Sequence, residues 1–362
     1  MTSWPRGPVA IGLVGLAVGV LYAIRVLIPH QWDPSIFLAL GKESPVQTQY
    51  AERLLGHVET RASLGHDGKF FFVQANDPWY QQPEIHAAVL DRTIYRGQRM
   101  LYPTIAGGFG LFPPGMVVWT LILVNVLGLG FGSYITARVA QDLGANHWWG
   151  LTFALNIGLL GELDIDGAGI VALGLGMLGI WFVTHRSDVA AWLSLSGAAL
   201  AREIMIIMAI GLVMGVWFKH RVFRPSFVVV PLAAIGIWNV FLRWRLGNVV
   251  GTGDTREIAV FPFAGIVQAI AFWATDALDL LMGVAMLALL LAFAVRALRD
   301  RGLVAWSAIP FLGLASLLSV HVWLNPIDIF RGVAPVLTAY GLLLAKSTRQ
   351  AQAAHLREQV FD

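Results

Sequence analysis

An aspartate between two glycines stands in the long polar stretch that follows the first apolar run of this sequence. Residues 65–72 read GHDGKFFF, so the backbone at Gly65 and Gly68 can turn tightly and leave the Asp67 carboxylate accessible. The phenylalanines would form an apolar wall that raises the pKa of this carboxyl toward the range of a useful general base. We interpret Asp67 as a candidate base. The alternative is an ordinary Asp-Gly turn before a helix at the membrane interface.

A cluster of tyrosine and arginine precedes the second apolar run. Tyr95, Arg96, Arg99 and Tyr102 stand close together, and the two arginines share a face if the segment is helical. Two guanidinium groups beside a membrane can bind a lipid phosphate. Anchoring of the chain at the interface by arginine and tyrosine explains the same pattern equally well.

Carboxylates crowd a short turn within the apolar part of the chain. Glu162, Asp164 and Asp166 alternate along the sequence. Alternating oxygens can bind a divalent cation, but the absence of a nearby histidine favours a solvated turn or a contact with sugar hydroxyls.

Charged residues also interrupt apolar runs. Arg202 and Glu203 lie between LSLSGAALA and IMIIMAIGL, and solvation alone does not explain a charge pair at that depth. The pair either joins two half-helices or presents Arg202 to a cavity as an anion ligand, and we favour the second interpretation. Asp328 and Arg331, before the last apolar run, follow the same pattern.

The composition requires a membrane environment to position these groups. The chain has 362 residues, of which 57% are hydrophobic and only 13% charged, and it contains no cysteine. The missing cysteines exclude disulfides, thiolate metal sites and thiol nucleophiles. Apolar runs of about 20 residues predict transmembrane helices, and hence an all-α polytopic bundle forming a single transmembrane domain over 1–362.

Charge placement predicts the topology. About ten spans are expected, with both termini in the cytoplasm, because arginine and lysine concentrate on one side. Residues 29–103 would then be an extracytoplasmic loop carrying interfacial helices, and 347–362 a cytoplasmic tail. The predicted spans are 8–28, 114–138, 148–162, 167–184, 189–201, 203–218, 227–245, 275–297, 303–321 and 330–346.

The order of these motifs resembles the GT-C superfamily of bacterial membrane glycosyltransferases, which use polyprenyl-phosphate sugars as donors. The resemblance rests on DGKFF at 67–71, YRGQR at 95–99, the acidic turn at 164–166, ALARE at 199–203 and Arg331 at the start of the last span. It covers most of the chain in pattern, through short motifs.

The resemblance implies inverting sugar transfer on the outer face of the plasma membrane, with Asp67 as the catalytic base. It implies that the donor phosphate is bound by Arg202 and Arg331, with Arg96 and Arg99 in reserve. Candidate contacts for sugar or acceptor are His66, Tyr95, Asp164, Asp166 and Glu203.

The implied partners are the lipid bilayer, a polyprenyl-phosphate sugar, and a glycolipid or polysaccharide acceptor, with no nucleic acid. An actinobacterial source, faintly indicated by the richness in arginine, alanine, glycine and valine, would imply decaprenyl-phosphate mannose or arabinose. The sequence identifies no cofactor with certainty, and dependence on a divalent cation is left open. A transporter or flippase of a lipid-linked phosphate is the alternative, since it would use the same arginines without Asp67 as a base.

Overall fold

The computed structural model describes residues 6–247 and 258–346, and these are mostly helical. Two short strands, β1 (Leu40–Gly41) and β2 (Thr60–Arg61), pair in parallel. The helices, numbered α1 to α19 in chain order, are Arg6–Leu27, Pro45–Leu55, Gly68–Asn76, Pro83–Val89, Thr93–Gly97, Leu101–Ala106, Pro114–Asp142, Leu151–Ala154, Ile157–Asp164, Gly169–Thr184, Asp188–Ala201, Ile206–His220, Ser226–Leu246, Ala264–Trp273, Ala277–Asp300, Leu303–Leu317, Val320–Trp323, Pro326–Gly332 and Ala334–Lys346.

The chain is a membrane protein by the length and composition of its helices. Five described segments are long and apolar enough to cross a bilayer. They are Arg6–His30, Pro114–Asp142, Glu203–His220, Ser226–Leu246 and Ala277–Asp300. Shorter apolar helices include α10, α11, α14, α16 and α19, so the predicted number of about ten spans is not confirmed. The side of the membrane on which each terminus lies stays a prediction, and the predicted tail 347–362 lies outside the described residues.

One predicted span, 148–162, is not a continuous helix. It breaks between α8 and α9 at Asn156, whose Oδ1 accepts a hydrogen bond from the Gly158 N–H at 3.0 Å. The Asn156 Nδ2 donates to the Ala334 carbonyl at 2.9 Å, across to α19. An asparagine that caps a new helix and bonds a neighbour explains why the apolar run divides here.

The predicted break at Arg202 is confirmed. Helix α11 ends at Ala201, Arg202 is extended with φ −153° and ψ 115°, and α12 begins at Ile206 after a short turn. The two charged side chains leave this break in separate directions, because each pairs with a different partner, as described below.

Glycines let the first two long helices approach closely. Gly12, Gly15 and Gly19 lie along one side of α1, and a Cβ on any of them would meet atoms of α7. Helix α7 packs on α10, α10 on α11, and α11 on α13, while α12 packs on α16. Small residues at such interfaces are typical of helix packing in membranes.

The polar segment 29–103 packs against the long helices, with α3 on α7 and with α4 and α5 on α13. Its central helix, α3, is buried within the protein from Gly68 to Ala75, and its predicted position at the membrane interface stays a prediction. Phe71 and Phe72 belong to an apolar cluster with Tyr102 on α6 and with α7. An aromatic run suits an interface and a protein core equally, and here the core buries more of its surface.

Gly68 fixes the start of α3 against three backbone carbonyls. A Cβ at this position would lie 2.6 Å from the Ile165 oxygen, 2.8 Å from the Phe37 oxygen and 2.9 Å from the Leu38 oxygen. Only a glycine permits this close approach. The residue before it, Asp67, is therefore held at a fixed place in the bundle.

Candidate active site

The Asp67 carboxylate is bound by three arginines from distant parts of the chain. Its Oδ1 accepts from Arg96 at 2.7 Å, and its Oδ2 lies 3.1 Å from Arg331 and 3.5 Å from Arg99. The side chain of Asp67 retains 22% of its exposure, while those of the three arginines are 7–12% exposed. The structure thus brings the predicted base and three of the predicted phosphate ligands into direct contact.

Helix α5 and the turn after it aim Arg96 and Arg99 at this point. The Arg96 guanidinium lies over the Phe70 ring at 4.1 Å and also donates to Asp91 at 2.9 and 3.1 Å. Arg99 donates to the Tyr95 hydroxyl at 2.6 Å. Helix α13 supports the segment, because the Trp238 indole N–H donates to the Gly97 carbonyl at 2.7 Å. The predicted shared direction of the two arginines is confirmed.

Glu162 is the second centre of the network, and its role was not predicted. Its side chain is 2% exposed, and its Oε1 accepts from Arg202 at 2.8 Å and from Arg331 at 2.9 Å. Its Oε2 accepts from the Gly169 N–H at the start of α10, at 3.0 Å. A glutamate within the apolar stretch IGLLGELD was a detectable signal, because a buried acid in a membrane helix requires a partner.

Two more carboxylates complete the network. Glu203 receives two hydrogen bonds from Arg99, each 2.8 Å long. Asp328 receives one from Arg331, also at 2.8 Å and one helical turn away. Segments that are far apart in sequence therefore meet in one continuous array of charge-assisted hydrogen bonds.

A cavity of about 780 Å³ opens beside this array. Its lining contains charged side chains and also the apolar residues Ile204, Ile258, Leu314, Leu318 and Val322. Of the residues predicted from the sequence, those that line it are His66, Asp67, Tyr95, Arg96, Arg99, Arg202, Glu203 and Arg331. A volume of this size suits a small-molecule site with both polar and apolar contacts.

Asp164 and Asp166 do not line this cavity. Asp164 instead accepts from Arg61 at 2.9 Å, at the end of strand β2. Asp166 is 0% exposed, and neither carboxylate oxygen has a hydrogen-bond partner among the described residues. Burial, and secondarily the charge of Asp164, raise the pKa of Asp166 well above its usual range. A sugar contact through these two residues is therefore not supported by their positions.

The pKa of Asp67 moves opposite to the prediction. Burial would raise it, but the charges of Arg96, Arg331 and Arg99 together outweigh burial and hold the pKa well below its usual range. The predicted apolar wall is present as Phe70, yet it faces Arg96. Asp67 is therefore held as an anion by the three arginines that contact it.

Lys69, for which no role was predicted, also lines the cavity and is 5% exposed. Its ammonium donates to the Ser44 hydroxyl at 2.7 Å and to the Leu64 carbonyl, and so holds the loop that leads to Asp67. Burial lowers the pKa of Lys69 to about 8. Burial also lowers the pKa of His66, which therefore favours its neutral form at the cavity wall.

Arginines occupy the carboxylates that a divalent cation would need in this cavity. Asp67, Glu162, Glu203 and Asp328 each accept from at least one guanidinium. The arrangement suits an incoming anion better than an incoming cation.

No protein-family model, no curated protein and no solved structure matches this chain.

Proposed function

We propose that this protein transfers a glycosyl group from a polyprenyl-phosphate donor to an acceptor hydroxyl, with inversion at the anomeric carbon. The observation that carries the proposal is an ionised carboxylate, Asp67, bound by three arginines at the wall of a cavity whose lining contains both charged and apolar side chains. A base, anion ligands and a surface for hydrocarbon are the groups this reaction needs.

The arginines supply the phosphate site. A donor phosphodiester carries one negative charge, and arginine forks match phosphate oxygens as well as they match carboxylates. The incoming phosphate competes for Arg96, Arg99 and Arg331, which otherwise hold Asp67. The apolar wall at Leu314 and Leu318 offers a surface along which the prenyl chain could lie.

Donor binding would convert Asp67 into a better base. Among the described residues, five cationic side chains at the cavity are matched by five anionic ones. The cations are Lys69, Arg96, Arg99, Arg202 and Arg331, and the anions are Asp67, Asp91, Glu162, Glu203 and Asp328. Arg92 adds a further cation at the edge, 4.0 Å from Asp91. A phosphate adds a negative charge and draws guanidinium groups away, and both changes raise the pKa of Asp67.

The chemical step would then leave the charge of the cavity unchanged. The acceptor oxygen forms a bond to the anomeric carbon as the bond from that carbon to the phosphate oxygen breaks, and the acceptor proton passes to Asp67. Asp67 loses its negative charge while the departing phosphate gains one. The arginines released by the neutral acid are then available to the phosphate, which is where stabilisation of the transition state is most effective.

Replacement of Asp67 by asparagine tests the proposal. Membranes containing the Asp67→Asn variant, incubated with labelled decaprenyl-phosphate mannose and arabinose, should lose transfer by roughly a hundredfold or more, the usual contribution of a general base. Donor binding should be retained or tightened, because the arginines lose a competing carboxylate. Full transfer by this variant would contradict the proposal.

Asp91→Asn is the matched control, since Asp91 lines the same cavity and also pairs with Arg96, but its side chain is 43% exposed. This variant should retain most of the transfer activity. The same pair of variants separates an enzyme from a flippase, because a flippase needs the arginines but no base. Lipid translocation that survives Asp67→Asn, with no transfer by wild type, would support the flippase.

A further inference from the structure

A second group of ionisable side chains lies away from the cavity, where the chain leaves α1. Asp33 follows the end of that helix, and His57 and Glu59 follow the end of α2. The ligand atoms of these three residues all lie within 4.8 Å of one another. His30 stands at the edge of the group and faces the other oxygen of Glu59. None of the four lines the active-site cavity.

The side chains of this group lie too far from one another to form hydrogen bonds among themselves. The His57 Nε2 lies 3.8 Å from Asp33 Oδ2 and 3.9 Å from Glu59 Oε1, and the His30 Nδ1 lies 3.6 Å from Glu59 Oε2. These distances exceed a hydrogen bond. They approach the separation between neighbouring ligands around one small cation, because metal bonds of about 2.0–2.2 Å place adjacent donor atoms roughly 3–4 Å apart.

Ser35 fixes the Asp33 carboxylate and the backbone at Glu59. The Ser35 N–H donates to Asp33 Oδ1 at 2.9 Å, which leaves the other oxygen, Oδ2, facing His57. The Glu59 N–H donates to the Ser35 hydroxyl at 2.7 Å, which ties the two stretches of chain together. The ion would need to order the side chains of His57, which is 80% exposed, and of Glu59, which is 33% exposed.

We propose that Asp33, His57 and Glu59 bind one divalent transition-metal ion of the zinc class. One imidazole and two carboxylates form a mixed nitrogen and oxygen donor set, which suits zinc; calcium and magnesium prefer oxygen alone. Water completes the coordination, and His30 is placed to orient Glu59 from outside, as residues behind metal ligands commonly do.

The ion would cross-link two parts of the polar segment. Glu59 leads directly into strand β2, where Arg61 holds Asp164 beside α9. Binding at the surface would therefore fasten the loop after α1 to the strand that reaches the bundle. This role is structural, and it does not depend on the proposed sugar transfer.

Zinc binding by the full chain in detergent tests the proposal. Protein stripped with EDTA and freed of any histidine tag is dialysed against Zn²⁺ and its metal content measured, with affinity obtained by competition with a chromogenic chelator. Wild type should hold one zinc per chain and unfold at a higher temperature with zinc than without. His57→Ala and Glu59→Gln should each weaken binding by about a hundredfold.

His185→Ala is the matched control, because His185 lies 3.7 Å from Asp142 in a pair that belongs to no such group of three within the described part of the chain. It should bind zinc as wild type does. The high exposure of His57 makes it safe to replace without unfolding the protein. The proposal is overturned if wild type holds no zinc, if His57→Ala binds zinc as tightly as wild type, or if the control loses binding to the same extent.

Discussion

Glu162 gives the sharpest prediction about what holds the site together. It is almost fully buried and is the only carboxylate in contact with Arg202 among the described residues. Its Oε1 serves two guanidinium groups and its Oε2 a backbone N–H. Glutamine preserves the shape but not the charge, and its amide group must point a donor at one of these donors. The Glu162→Gln variant therefore leaves Arg202, whose side chain is 16% exposed, without its anion.

The magnitude follows from the partners that remain. Removing one partner of a buried ion pair costs about 3–5 kcal/mol in unfolding free energy. Arg331 keeps Asp67 and Asp328, while Arg202 loses its ion pair within the described part of the chain. We expect a loss of about 3 kcal/mol, near the lower end of that range. Such a loss should lower the unfolding temperature by roughly 5 °C or more.

Thermal unfolding in detergent, followed by tryptophan fluorescence, measures this loss. Asp164→Asn is the matched control, because Asp164 and its partner Arg61 are 31% and 26% exposed, and such pairs contribute only about 0–1 kcal/mol. The control should unfold close to wild type. A Glu162→Gln variant that unfolds within 1 °C of wild type, or together with the control, would refute the idea that this glutamate anchors the network.

Three further outcomes follow from single residues. Asp166→Asn should raise the unfolding temperature at pH 7. The pKa of Asp166 is raised in the folded protein, so wild type loses stability as the pH rises through that pKa, whereas the variant has no carboxyl group to ionise. Equal dependence of the unfolding temperature on pH in wild type and variant would contradict this. The pKa of Asp67 is lowered in the folded protein, so its contribution to stability is present above the usual carboxyl pKa and is lost on acidification. The unfolding free energies of wild type and Asp67→Asn should therefore converge below about pH 4. Gly68→Ala should lower the unfolding free energy by about 1–3 kcal/mol and should also reduce sugar transfer. Gly115→Ala is the control, because a Cβ at Gly115 meets nothing within 4 Å, and it should change neither. Similar unfolding temperatures for the two variants would contradict the close approach at the start of α3.

The residues that converge on the cavity could be predicted in part from the sequence. Charged residues at the ends of apolar runs must find partners, and this reasoning singled out Arg202 and Arg331. The family resemblance added Arg96 and Arg99 as reserve ligands, and the structure places Arg96, Arg99 and Arg331 in contact with Asp67. The charge pair also predicted the helix break at Arg202. These successes depend on a strong local signal, which is a charge where hydrocarbon is expected.

The pairing itself could not be predicted. Glu162 bonds Arg331 across 169 residues, and nothing in either sequence neighbourhood indicates that distance. The pKa of Asp67 was wrongly expected to rise, because an aromatic neighbour is visible in sequence and three converging cations are not. The break at Asn156 was missed because a single polar residue in an apolar run can equally face a neighbouring helix.

The position of Arg331 bears on how the protein is made. This arginine follows Asp67 by 264 residues, yet it bonds both Asp67 and Glu162. During synthesis both acids can pair with earlier arginines, Asp67 with Arg96 and Arg99 and Glu162 with Arg202, but neither can bond Arg331 until α18 has been made. The bonds of Arg331 to both acids therefore form last, and they join α18 to the segments that carry Asp67 and Glu162.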